Sequence, residues 1–119
     1  MNIEVAVDQF VVEDVRHLNE STYVLRFSKG GMDFIPGQHL NVGLNGSGQH
    51  REYSIYSGSN SDSLEILIKE VDDGLVSTQL KNLKKGSTIS VKGPYGIFLA
   101  DLEAHKGEKI LLIASETGI

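Results

Sequence analysis

The sequence predicts an all-β fold, an antiparallel barrel or sandwich interrupted by one short helix. Three observations carry this reading. Short runs alternate apolar and polar residues, turn-forming residues punctuate them, and a single segment changes its apolar period from that of a strand to that of a helix. At 119 residues and 39% hydrophobic content the chain matches one ordinary domain, large enough to bury a core.

Val5-Ala6-Val7 and Phe10-Val11-Val12 open the β region, and in Thr22 to Phe27 the residues Tyr23, Leu25 and Phe27 share one face. His39 to Leu44 alternates in the same way, Gln49 to Ser57 reads as a strand, and Leu64 to Lys69 and Thr88 to Lys92 supply further strands. Between them lie Lys29-Gly30-Gly31, Pro36-Gly37, the hairpin tip at Asn45 to Gln49, Ser57-Gly58-Ser59-Asn60 and Asp72-Asp73-Gly74. After the last of these turns Val76, Leu80 and Leu83 fall at i, i+4 and i+7, one stripe of a helix. Lys81, Lys84 and Lys85 stand in or just past its final turn, and Gly86 is expected to stop it. Several short strands and one helix are compatible with a capped barrel.

Lys109 to Ser115 breaks the pattern with a continuous apolar run, of the kind found in strands buried on both faces of a parallel sheet. Glu116-Thr117-Gly118 follows as a glycine-bearing turn, where an α/β domain passes from its first strand toward a nucleotide. The expected division is therefore a β-barrel domain over residues 1–101, then a linker with the first strand and turn of a truncated second domain over 102–119. A terminal strand of the barrel itself is the alternative.

Composition excludes several chemistries. The chain has no cysteine, so disulfides, iron–sulfur ligation and cysteine-based zinc sites are absent from it, and its four histidines lack ligand spacing. A net charge of -5 disfavours a broad nucleic-acid surface, and four Tyr and four Phe are few for a base-stacking groove. Met1 to Glu4 shows neither basic leader nor apolar core region, and Ile110 to Ala114 is too short to cross a membrane, so cytoplasm is the expected location.

Arg51-Glu52-Tyr53-Ser54 is the densest chemical signal. A guanidinium suits phosphate oxygens, a tyrosine face offers a stacking platform, and a hydroxyl can bond a ring nitrogen. A flavin nucleotide asks for all three. The same Arg and Tyr could instead form a structural cation–π or cross-strand pair. The second signal is the helix start at Gly74 to Ser77, whose unpaired N–H groups and positive dipole end would receive a phosphate or pyrophosphate. Capping by Asp72, Asp73 or Ser77 is the plainer use of that end, and two carboxylates beside a phosphate count against it. A complete pyrophosphate site favours FAD over FMN, which carries one phosphate.

Taken in order, these pieces resemble the flavin-binding domain of the ferredoxin–NADP reductase superfamily, over essentially the whole chain. Pro36-Gly37-Gln38-His39 is similar to its entry to a strand and Arg51-Glu52-Tyr53-Ser54 to its flavin motif. Gly74-Leu75-Val76-Ser77 is similar to its pyrophosphate-binding helix start, Gly93-Pro94-Tyr95-Gly96 to the turn that closes the barrel, and Ile113 to Ile119 to the opening of the nicotinamide domain. The resemblance implies a six-stranded antiparallel Greek-key β-barrel with one capping helix. It implies that Arg51 pairs with the flavin pyrophosphate, Tyr53 packs against the isoalloxazine and Ser54, in the catalytic role, bonds near N5. Strict alternation would put Ser54 on the face opposite Arg51 and Tyr53, so a bend is required. Leu67, Ile68 and Lys69 would line the flavin through backbone and lysine stem, Gly74 to Val76 and Ser77 would give amides and a hydroxyl to the diphosphate, and Thr117 would approach the ring. Glu116, where the family usually has glycine, and His39, where an aromatic or aliphatic residue is usual, depart from the pattern.

The implied activity is hydride transfer from NAD(P)H to flavin N5 followed by single-electron transfer to ferredoxin or another one-electron carrier. NAD(P)H would enter through a C-terminal nicotinamide-binding domain, so the chain as given is expected to bind flavin with little NAD(P)H-driven turnover. A flavin subunit of a multicomponent oxygenase or dehydrogenase, and a non-catalytic β-barrel binding module, are the alternatives. Lys81, Lys84 and Lys85 could face an acidic ferredoxin or water.

Overall fold

The computed structural model describes residues 6–72, 74–96, 98, 103–115 and 117. The expected strand residue Val5, the capping residue Asp73, the domain boundary at 101/102 and Glu116 lie outside them. Seven elements follow one another: β1 (Ala6–His17), β2 (Thr22–Ser28), β3 (His39–Leu44), β4 (His50–Ser54), β5 (Ser63–Lys69), α1 (Leu75–Lys81) and β6 (Thr88–Tyr95).

The six strands form one antiparallel sheet in the order β4-β3-β6-β1-β2-β5, with hairpins at β1–β2 and β3–β4 and with β5 and β6 returning to lie beside distant strands. A single bridge, Ile55 with Ile66, links the two edges of that sheet. The all-β class and the one helix among the described residues are as the sequence predicts.

Period-two burial explains the core. In β5 Leu64, Ile66 and Ile68 are buried and the residues between them are not, and in β3 and β6 Leu40, Val42, Ile89 and Val91 point the same way. Phe10 and Phe27 meet edge to face with centroids 6.0 Å apart, and α1 adds Val76 and Leu80 from its apolar stripe. Burying a side chain of this size contributes roughly 1.5–3 kcal/mol, so register is strongly specified.

Four differences from the sequence reading have physical causes. First, β1 is one strand that continues through Glu13 to His17. A bulge between Val12 and Asp14 lets its first half pair with β6 and its second half with β2, and one partner exchange leaves no turn residue in the sequence. Second, Gly86 does not stop α1. The helix ends at Lys81 with Asn82 as its C-cap, and the Gly86 N–H donates to the Val12 carbonyl at 2.9 Å in the approach to β6.

Third, Gly93-Pro94-Tyr95 is no turn but the end of β6. Gly93, at φ 139°, sits where the β3–β6 register shifts, and a Cβ there would stand 2.9 Å from Leu40 Cδ2. Fourth, Lys109 to Ser115 forms no strand, and Leu111, Leu112 and Ile113 are 83%, 88% and 87% exposed. No strand among the described residues pairs with it, and a parallel strand exists only through such neighbours.

Candidate functional site

The register of the β3–β4 hairpin sets Arg51 opposite Val42 and Tyr53 opposite Leu40, so both side chains start from the face that carries the core. On β5, Leu67 and Lys69 take the positions that alternate with the buried ones. A cavity of about 430 Å³ brings Arg51, Tyr53 and Lys69 together with Val71, Asp72 and the start of α1 at Gly74, Leu75, Val76 and Ser77. The Arg51 Nη1 donates to the His50 carbonyl at 2.8 Å, and the guanidinium has no carboxylate partner among the described residues.

The start of α1 is shaped by main-chain and hydroxyl bonds. Thr78 N–H is the first to reach back, to the Gly74 carbonyl at 3.3 Å, which leaves the Leu75, Val76 and Ser77 N–H groups without helical acceptors. No side chain among the described residues caps this end, so the expected capping role of Asp72 or Ser77 is not found. Gly74 N–H donates to the Val71 carbonyl at 2.7 Å and Val71 N–H to Ser77 Oγ at 3.2 Å. A Cβ on Gly74 would stand 2.6 Å from the Val71 oxygen and 2.5 Å from Ser77 Oγ. At φ -71° any residue could adopt this backbone, so glycine is required for space alone.

Beneath this turn the buried Tyr23 hydroxyl donates to the Ser77 carbonyl at 2.5 Å. Burial pushes the Tyr23 phenol far above its ordinary pKa, so it stays a donor. Ser77 is therefore held at its carbonyl and its hydroxyl. The expected gift of that hydroxyl to a diphosphate is reduced to its proton, and the N–H is the open group.

A second cavity, about 280 Å³, continues from Tyr53 to Ser54, Ile55, Tyr56, Leu67 and Thr117, with Glu52 at its side. Here β4 leaves β3 and crosses to β5. Ile55 N–H donates to the Gln38 carbonyl at 3.1 Å, Ile55 bridges Ile66, and Tyr56 N–H donates to the Glu65 carbonyl at 2.7 Å. That corner lets Ser54 join Tyr53 on one cavity although strand alternation separates them. Burial raises the Tyr53 phenol, with Arg51 opposing, so a neutral ring with its proton faces the site. A third cavity of about 380 Å³ shares Tyr56, Leu67, Lys69 and Thr117 and ends on the β1–β2 hairpin at Leu18, Asn19, Ser21 and Thr22.

Of the residues singled out in the sequence, Arg51, Tyr53, Lys69, Gly74, Leu75, Val76 and Ser77 meet on the first cavity and Tyr53, Ser54, Leu67 and Thr117 on the second. Ile68 does not join them. It is fully buried opposite Tyr23, and only its main chain is left for the site. The Val76 side chain is likewise in the core, so its contribution is its amide. Lys81 is withdrawn from the expected lysine cluster, its Nζ donating to Glu70 at 2.9 Å and to the Glu20 carbonyl at 2.7 Å. Sequence reasoning missed Tyr56, which alternation from Ser54 would have found, and Tyr23, for whose bond to Ser77 no local signal exists.

The family model described as oxidoreductase FAD-binding domain matches residues 4–99. The chain is 34% identical over 116 residues to the toluate 1,2-dioxygenase electron transfer component of Pseudomonas putida, covering 93% of this chain and 33% of that protein. It is 30% identical to the ferredoxin–NADP reductase of Pseudomonas aeruginosa, covering 91% of this chain and 43% of that one. Among solved structures, a ferredoxin NADP+ reductase from Neisseria gonorrhoeae with bound FAD and NADP superposes with a TM-score of 0.74 at 25% identity, covering 81% of this chain and 41% of that chain. The chain thus spans between a third and a half of the length of these relatives.

Proposed function

The chain belongs to the oxidoreductase FAD-binding domain family, and on that premise we propose that it holds FAD along β4, β5 and the start of α1 and serves electron transfer between NAD(P)H and a one-electron acceptor. The observation that carries this reading is the convergence of Arg51, Tyr53 and Lys69 on one cavity with three α1 amides that have no helical acceptor among the described residues.

The residues present fit the cofactor. A cradle that a Cβ at Gly74 would fill, two cations and open N–H groups suit a diphosphate, and a neutral Tyr53 beside a cavity lined by Leu67 suits a flat ring. FAD, when bound, supplies the hydride and single-electron chemistry. The protein's part is to bind, orient and shield. Arg51 and the Leu75, Val76 and Ser77 amides would hold the negative charge, and Tyr53 and Leu67 would contact the flat ring. Ser54 would offer its hydroxyl to a ring nitrogen, and Thr117 lines the same cavity. Asp72 also lines the cavity at the start of α1, and its carboxylate opposes the binding of phosphate that Arg51 and the amides favour.

Residues 1–101 then make up the FAD domain and 102–119 lead into a nicotinamide-binding domain. The acceptor is an electron carrier such as a ferredoxin. A second reading, an electron-transfer subunit of a multicomponent oxygenase, is favoured by the toluate dioxygenase component among the relatives. Titrating the purified chain with FAD, FMN and riboflavin, followed by visible absorbance and calorimetry, tests the site. Tight FAD uptake with weaker binding of the phosphate-free riboflavin is expected, and protein that stays colourless with excess FAD overturns it. Reduction assays with a ferredoxin and with an oxygenase component as acceptors separate the two readings.

A further inference from the structure

We propose that Gln38 is the positioning residue for the ring end of the cavity, an inference that rests on the flavin-site reading above. Gln38 lies just before β3 and touches neither cavity. Its own N–H donates to the Ile35 carbonyl at 3.2 Å and its carbonyl accepts from Ile55 N–H at 3.1 Å. Its side-chain Oε1 accepts from Ile35 N–H at 2.8 Å, and its Nε2 donates to the Gly96 carbonyl at 3.3 Å.

The chemistry of these partners fixes the amide's orientation. A peptide N–H can only donate and a carbonyl can only accept, so oxygen must face Ile35 and nitrogen must face Gly96. One side chain therefore ties the Ile35 turn to the end of β6, and does so at the peptide whose carbonyl holds Ile55.

The hold on Ile55 matters because of where it acts. Ser54 is the last β4 residue in register with β3, opposite His39, and the chain then crosses to β5 at Ile55 and Tyr56. The Gln38 carbonyl is the final link to the β3 side before that crossing. Ser54 and Tyr56, which flank the linked residue, both line the ring-end cavity with Tyr53 and Leu67. A Gln38 peptide free to rotate would let that corner move and would change how Ser54 and Tyr56 meet a bound ring. The charged end, built on α1 and Arg51, would not feel it.

Glutamate gives a sharp test, since its carboxylate accepts from Ile35 N–H but faces the Gly96 carbonyl with lone pairs, whereas the protonated acid restores the amide's donor and acceptor. Gln38→Glu, Gln38→Leu and wild type are to be titrated with riboflavin and with FAD at about pH 8 and about pH 4, values on either side of the ordinary glutamate range. The visible circular dichroism of the bound flavin is recorded alongside. His39 and Glu52, 3.8 Å apart, are the ionisable side chains at the same corner, so wild type at both pH values is the control.

At the higher pH Gln38→Glu is expected to weaken riboflavin and FAD by the same factor, about five- to tenfold, and to change the visible dichroism. At the lower pH it recovers toward wild type, and Gln38→Leu does not. A lower melting temperature with unchanged flavin affinity and dichroism in both variants would make Gln38 merely structural and overturn the proposal. If Gln38→Leu fails to fold, Gln38→Glu across pH decides alone. Wild type that takes up no flavin would instead fell the site reading itself.

Discussion

The charged end of the cavity, at Arg51, Lys69 and the first turn of α1, rests on a closed set of bonds, whereas the ring end, at Tyr53, Ser54, Tyr56 and Leu67, sits at an open strand corner. At the charged end Val71, Gly74, Ser77 and Tyr23 bond one another, and the fully buried Tyr23 ties the turn to the core. At the ring end one carbonyl, one bridge and one further main-chain bond guide the chain from β3 to β5. The difference suits the two parts of the ligand proposed above. A diphosphate is small and strongly charged and rewards donors fixed within tenths of an ångström, while a ring tolerates sliding over an apolar face.

Riboflavin, which has the ring and no phosphate, separates the two ends experimentally. The largest effect is expected from Gly74→Val, because the Val71 carbonyl it would strike is main chain. A loss of about 3 kcal/mol in folding stability and abolished FAD binding are expected, and FAD binding retained at wild-type affinity would break the comparison. Arg51→Ala should weaken FAD by about 2 kcal/mol in calorimetry and leave riboflavin within error, from loss of a charge-assisted contact. Equal losses for both ligands would move Arg51 to the ring end.

Tyr23→Phe keeps the ring packed and removes only the bond to Ser77. About 1 kcal/mol of stability by denaturant titration, with a FAD-selective loss of affinity, is the expected result. The smallest effect belongs to Glu70, whose bonds to Lys81 and then Thr78 hold its carboxyl below the usual range. A lowered folded-state pKa means the stabilisation is present above the ordinary carboxylate range and fades as pH falls through the lower value. Glu70→Gln should thus lower the melting temperature slightly at neutral pH, and the gap should close in acid. A gap that persists in acid would show that the carboxylate charge is not its source. Neither end of the cavity should respond.

Much of the site could be read from the chain because the signals are local. Arg51 and Tyr53 are two apart on a strand, the glycine and small residues at 74–77 precede a helical stripe, and Tyr56 follows Ser54 by one alternation. Where the reading strayed, non-local contacts had intervened. Gly86 was needed by Val12 rather than by the helix, Gly93 by a register shift against β3, and Lys81 by Glu70 and Glu20, each more than ten residues away in sequence. Ile68, expected at the site through its main chain, keeps its side chain in the core, as the period of two between Leu67 and Lys69 requires.

The sequence by itself determined the β class, the place of the helix, which residues face the core and which carry cationic, aromatic and hydroxyl chemistry, since periodicity and side-chain type act over a few residues. Tertiary structure alone decided that Ser54 shares a cavity with Tyr53 and that Tyr23 supports Ser77 from across the domain. Those outcomes depend on which distant backbone and side-chain groups find each other, and patterns acting over a few residues do not encode that.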